Sequence, residues 1–187
     1  MDYHDLLKNV GGGMAVLLFI PMICRVFRDG GAGQSFATWV LWLALDGVLV
    51  GSLIAQHGNY LMALGFTIGD AVLASVLLAK GRVTWGKFEN VILFLVVVSL
   101  VVWGCSGSKM ATIVSTLGCL IAGLPGLVGL WRNPERGLGK VWAGYALANA
   151  LSYLGGTAMT VEERFPAGAF ALFAVPMFLA SRRKKRS

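Results

Sequence analysis

Residues 35–56 read SFATWVLWLALDGVLVGSLIAQ and form an almost uninterrupted apolar run. Asp46 is its one charged residue, and an apolar helix of about 20 residues is what crosses a hydrocarbon core about 30 Å thick. A carboxylate at the centre of such a helix costs about 2.5–3.5 kcal/mol on insertion, so an acid there usually marks an ion, proton or substrate path. The stretch therefore predicts a transmembrane helix with a functional acid near its middle.

The rest of the chain repeats this pattern. Of its 187 residues, 57% are hydrophobic and 13% are charged, and the charges fall between long apolar runs. Seven such runs predict an all-α integral membrane protein, and the fourth of them is one of the two shortest. The runs are Val10–Phe27, Ser35–Gln56, Asn59–Ala79, Val91–Cys105, Met110–Trp131, Val141–Thr160 and Pro166–Ala180.

The basic residues predict the orientation. If the N-terminus is outside and the helices alternate, all but three of the 16 Lys and Arg residues fall on the inner side. The exceptions are Lys8, Lys109 and Arg164. This positive-inside asymmetry predicts an outer N-terminus and a cytoplasmic C-terminus, and we expect a bacterial inner membrane. The net charge of +7 is thus a topology signal, and no nucleic-acid partner is expected.

Three polar residues are expected at one depth. Asp46 and Asp70 each lie about ten residues from both ends of their runs, and Asn149 lies nine residues from Lys140. At about 1.5 Å per residue, this places all three roughly 15 Å from the surfaces, near the bilayer midplane. No Lys or Arg falls within the runs at that depth, so an acid–base role is expected for the two aspartates.

An internal repeat links the two halves of the chain. Pro21 and Pro125 are each followed by an aromatic–Arg exit, and they lie 104 positions apart. Downstream, Trp39, Trp42 and Asp46 match Trp142, Tyr145 and Asn149 at an offset of 103. These spacings put each aromatic pair and its polar residue on one helical face. The pattern predicts two parallel three-helix repeats, residues 1–80 and 108–187 with its basic C-terminal tail, joined by a linker helix in 81–107.

With these motifs the chain resembles the PQ-loop and SWEET-type transporters, which share a 3+1+3 design of seven helices. The resemblance rests on Pro21 with its basic loop, on Trp39 and Trp42, and on Pro125 with Trp142. The glutamine that follows the proline in that group is replaced by Met22 and Gly126. The resemblance implies a carrier that works by alternating access, with its prolines as hinges of an inner gate.

Each candidate residue has a functional and a structural interpretation. Asp46 and Asp70 are expected to bind a proton, a cation or solute hydroxyls with Asn149, or else to hydrogen-bond between helices. Trp42 and Tyr145 would stack on the solute, or else pack between helices. Trp39 and Trp142 are expected in the interfacial belt, and Pro21 and Pro125 are hinges or static kinks.

We therefore expect a carrier for a small polar solute, such as a sugar, an amino acid or a nucleoside-like molecule, with proton coupling or facilitated diffusion left open. The alternative is a seven-helix ligand or sorting receptor of the same fold, although buried acids favour a neutral or cationic ligand. The absence of an intramembrane lysine excludes a retinal protein. Cys24, Cys105 and Cys119 are expected in the core, with no metal-ligand spacing. No enzyme activity, cofactor or metal is expected. Contact of the helices with membrane lipid is expected.

Overall fold

The computed structural model describes residues 2–29 and 35–183, of which 86% are helical and none lies in a strand. The predicted all-helical class is confirmed, whereas the basic tail from Lys184 onward lies outside the described residues. The described helices are α1 (Tyr3–Leu17), α2 (Phe19–Asp29), α3 (Phe36–Ala55), α4 (Leu61–Ala79), α5 (Lys87–Ser106), α6 (Ser108–Arg132), α7 (Arg136–Gly155) and α8 (Val161–Arg182).

Helices α1 and α2 together cross the bundle once, with a break at Leu18, and we call each such crossing a pass. Proline has no N–H, and its ring collides with the carbonyl four residues earlier. For Pro21 that carbonyl belongs to Leu17, the last residue of α1. Pro125 lies inside α6, which continues without interruption to Arg132. The two matched prolines therefore sit in different local structures.

Six of the seven described passes are long and apolar enough to cross a membrane. The pass outside this group is α7, which has 20 residues but contains several glycines and the polar Asn149. Its bounds also correct the sequence prediction, which placed this run at Val141–Thr160. The helix begins five residues earlier and ends at Gly155 because Gly156 leaves the helical conformation.

The fourth pass corrects the sequence prediction in the opposite direction. The apolar run Val91–Cys105 is one of the two shortest in the sequence, yet α5 is 20 residues long and is the most apolar of the six. The run missed the polar first turn of the helix. In that turn the Glu89 carboxylate accepts a hydrogen bond of 2.8 Å from the amide of Gly86, which satisfies a free helix N–H.

The passes form a ring. Going round it, the neighbours in contact are α1, α4, α3, α6, α8 and α7, which returns to α1. Helix α5 packs outside this ring, against α3 and α6. In the first half of the chain the third pass thus lies between the first two, and in the second half α8 lies between α6 and α7.

The bundle has two chemically different ends. We call the end that carries Tyr3 the N end and the end that carries Arg182 the C end. Because successive passes alternate in direction, most basic residues of the described chain belong to the C end. They are Arg25, Arg28, Lys80, Arg82, Lys87, Arg132, Arg136, Lys140, Arg182 and Arg183.

The N end is tightly packed. Gly12 of α1 is buried, and a Cβ added there would lie 2.8 Å from the carbonyl oxygen of Leu61 in α4. Only glycine allows two backbones to approach this closely.

Polar contacts also cross the N end. Lys8 Nζ lies 3.0 Å from Glu163 Oε2, and both side chains are largely buried. Asn59 Nδ2 donates to the carbonyl and the hydroxyl oxygens of Ser152, at 2.9 and 3.0 Å. These contacts join the first half of the chain to α7 and α8.

Candidate functional site

A cavity of about 740 Å³ lies inside the ring. Its lining includes Asp46, Asp70 and Asn149 at mid-bundle and continues to Thr84 and Glu89 near the C end. All six ring passes contribute side chains to it. Volumes of this size accommodate small solutes.

The deepest polar group is a pair of acids. Asp46 and Asp70 are 3% and 1% exposed, and both line the cavity at mid-bundle. The Asp46 Oδ1 atom accepts from Cys119 Sγ at 3.4 Å.

Asp70 and Asn149 each have a buried oxygen atom with no hydrogen-bond partner among the described residues. The Asp70 Oδ2 atom is buried, and no amide, hydroxyl or ring N–H of the described residues donates to it. Asn149 is 1% exposed, and its Nδ2 donates to the Tyr145 carbonyl at 2.7 Å. Its Oδ1 has no partner among the described residues. Buried polar atoms are nearly always paired, so unpaired ones on a cavity wall indicate a ligand or water.

The two aromatic residues predicted for this site, Trp42 and Tyr145, both line the cavity. Tyr145 is buried, with its ring centroid 5.5 Å from that of Phe66 and its hydroxyl 3.9 Å from the Met22 sulfur. Trp42 lies 6.2 Å from Trp39, centroid to centroid.

Trp39 and Trp142 were predicted to be belt residues, and that prediction is wrong. Both line the cavity, and the Trp142 Nε1 donor is buried without a partner among the described residues. The belt prediction considered their depth alone. They lie three residues before Trp42 and Tyr145, however, and therefore share the inward face of α3 and α7.

The predicted hinges differ in their placement. Both prolines are exposed, but Pro125 lines the cavity within α6, whereas Pro21 does not belong to the lining. The residue after each proline, Met22 or Gly126, lines the cavity in both halves.

Several cavity residues were missed by the sequence analysis. Of the three cysteines expected in the core, Cys119 is buried beside Asp46, while Cys24 and Cys105 are exposed. Phe66 and Phe170 also line the cavity, with ring centroids 5.7 Å apart. These two phenylalanines are 104 positions apart, so the repeat offset could have identified them.

The end of the cavity near the C end is polar. Arg82 and Glu89 line it, and the Glu89 Oε1 atom accepts a hydrogen bond of 2.6 Å from the Thr38 hydroxyl. Ser35 donates to the Thr84 carbonyl at 2.6 Å. The local signal was available, since Glu89 lies three residues after Gly86, the spacing of a helix-capping acid.

A metal site is not formed by the part of the chain described here, in which no three His, Cys, Asp or Glu side chains are grouped to hold an ion. Comparisons with known proteins add no assignment. No protein-family model, no curated protein and no solved structure matches the chain.

Proposed function

We propose that this protein is a multi-pass membrane carrier that binds a small polar solute between Asp46, Asp70 and Asn149 and moves it by alternating access. One observation carries the proposal: a cavity within the bundle ends at buried polar atoms that have no partner among the described residues. Polar groups held unsatisfied inside a membrane bundle are costly, and they usually serve a solute or ion path.

The proposed architecture is the 3+1+3 arrangement of the PQ-loop and SWEET-type transporters. The ring order supports it, because α4 lies between α1 and α3 just as α8 lies between α6 and α7. The outer position of α5 suits a linker helix. The matched residues Asp46 and Asn149 both line the cavity, which is what a repeat with its site at the interface requires.

The proposed orientation has the N end outside and the C end in the cytoplasm of a bacterial cell, as the basic residues of the C end favour. Lining residues reach the C end, whereas the N end is closed by the contacts of Gly12, Lys8 and Asn59. The described arrangement is therefore assigned to the inward-facing state of the carrier.

Alternating access then requires an exchange of contacts between the two ends. Opening the N end breaks the Lys8–Glu163 ion pair and the hydrogen bonds of Asn59. Closing the C end brings α3 and α7 closer together at Trp39 and Trp142, which line the cavity from opposite halves of the chain. The break at Leu18 and the missing hydrogen bond of Pro125 supply places where α1/α2 and α6 can bend.

Proton coupling follows from the acid pair. Two buried acids on one cavity wall repel each other when both are ionised, which favours one proton on the pair, and a bound solute that donates to these oxygens competes for the same atoms. Solute and proton would then exchange at one site.

The test is uptake into proteoliposomes, with and without a pH gradient, from a panel of sugars, amino acids and nucleosides. Asp46→Asn and Asp70→Asn should each reduce uptake at least tenfold, while Asp5→Asn, an exposed acid in α1, should leave it unchanged. Uptake that is retained in both variants and does not depend on pH would overturn the coupled mechanism. Binding of a solute without uptake would instead support a receptor of the same fold.

A further inference from the structure

We propose that the solute is a monovalent organic amine, with its ammonium N–H groups directed at Asp46, Asp70 and Asn149 and its carbon body lying against a run of aromatic rings. This inference rests on the proposed function of the cavity and adds the chemical class of its substrate. It is carried by the kinds of atom at the cavity's end, by the formal charge of the lining and by the aromatic contacts.

The deep end of the cavity offers acceptors. The Asn149 Oδ1 atom is oriented by the hydrogen bond from its own Nδ2 to the Tyr145 carbonyl, which leaves the oxygen without a partner among the described residues. Asp70 Oδ2 adds a second acceptor. The Trp142 Nε1 donor, which also has no partner among the described residues, lies two helical turns from Asn149 toward the C end. A ligand that satisfies the deep end must therefore bring donors there.

The charge of the lining favours a cation. Three acids line the cavity, Asp46, Asp70 and Glu89, and Arg82 is the one Lys or Arg in the described lining. Glu89 and Arg82 lie near the C end, so the charged residues of the described lining at the deep end are the two aspartates. Two carboxyl groups buried on one cavity wall repel each other when both are ionised, so we expect the pair to keep one proton and a single negative charge, which one ammonium group neutralises. Hydrogen bonds between charged partners are about twice as strong as neutral ones.

The wall beside the acids is aromatic. Seven rings that line the cavity are in contact in one connected group, with centroid separations from 5.5 to 6.2 Å. Aromatic faces attract cations and stack on flat groups. A sugar would instead need hydrogen-bonding side chains around most of its hydroxyls. The connected rings are Phe19, Trp39, Trp42, Phe66, Trp142, Tyr145 and Phe170.

The experiment compares three probes that share one carbon skeleton: 2-phenylethylamine, 2-phenylethanol and phenylacetate. Binding is measured by isothermal titration calorimetry on the full chain in lipid nanodiscs at neutral pH. We expect the amine to bind at least tenfold more tightly than the alcohol and the acid to bind most weakly. An amine that binds no better than the alcohol overturns the inference, and this comparison needs no variant.

Variants then locate the binding. Asp70→Asn should reduce amine affinity at least tenfold and leave the alcohol within twofold, while the exposed Asp5→Asn should change neither. Trp42→Leu should weaken both the amine and the alcohol, because both use the aromatic wall. A loss of the same size for amine and alcohol in Asp70→Asn contradicts an ammonium contact at that acid.

Failure of this inference is distinguishable from failure of the proposed function. Uptake of a neutral solute that requires Asp46 and Asp70, with no preference for the amine, overturns the substrate class and supports a carrier. Selective amine binding with no uptake of labelled 2-phenylethylamine supports the substrate class and overturns transport.

Discussion

Two adjacent glycines in α1 provide a direct test of the closed N end. Gly12 is buried, and a Cβ built there would lie 2.8 Å from the Leu61 carbonyl oxygen, 3.1 Å from its carbonyl carbon and 3.3 Å from its Cβ. Gly13 is exposed, and nothing lies within 4 Å of its Cβ position. Gly12→Ala and Gly13→Ala therefore add the same methyl group to the same helix, one against a backbone and one in open space.

The magnitude follows from two opposing effects. Alanine favours a helix over glycine by about 0.8–1.0 kcal/mol, and this gain applies to both variants. Inserting a methyl group into a packed contact costs about 1–3 kcal/mol, and this cost applies to Gly12→Ala alone. The propensity terms cancel in the comparison, so Gly12→Ala should be less stable than Gly13→Ala by about 1–3 kcal/mol.

The assay is reversible unfolding in mixed micelles, in which the free energy of unfolding is measured as the mole fraction of sodium dodecyl sulfate rises. Gly13→Ala should be as stable as the unmodified protein or more so. A difference between the two variants of less than about 0.5 kcal/mol, or one of opposite sign, would show that α1 and α4 do not approach as described.

Three further predictions concern the ion pair and the prolines. Lys8→Met should lower the free energy of unfolding by about 1–3 kcal/mol, because it leaves the largely buried Glu163 carboxylate without its cation. The exchange variant Lys8→Glu/Glu163→Lys should recover part of that loss, and equal stability of all three proteins would exclude a role for the pair. Pro21→Ala restores an N–H to the chain after the break, so amide hydrogen exchange of the segment 18–21 should slow, as measured by mass spectrometry. Pro125→Ala lies in an uninterrupted helix and should change local exchange less; equal effects would contradict the difference between the two prolines.

Much of the architecture could be predicted because bilayer thickness constrains the chain strongly. Runs of apolar residues located the helices of the described bundle, six of which are long and apolar enough to cross a membrane, and the sequence placed Asp46 and Asp70 near the middle of theirs. The errors arose where a helix contains residues that an apolar count ignores. The polar first turn of α5 and the glycine-rich stretch of α7 are both helical through local hydrogen bonds and packing, which hydropathy does not register.

The site was predictable in part. Residues with a partner in the repeat, such as Asp46 and Asn149, could be paired from the sequence, and the same offset would have found Phe66 and Phe170. Cys119 had no such signal, because the residue 104 positions before it is Ala15, which has no polar side chain to match it. Its contact with Asp46 comes from the packing of α3 against α6, which depends on how the two halves meet rather than on either half alone.

The weak apolar character of α7 has a consequence for how the protein is made. A segment that partitions poorly into lipid does not leave the translocon on its own account, and it needs partners that are already in the bilayer or that follow directly. Helix α7 packs between α1, which is synthesised before it, and α8, which is synthesised after it. Membrane integration of the chain should therefore be completed only after α8 has been translated, so a protein truncated before Val161 would leave its sixth segment exposed to quality-control proteases.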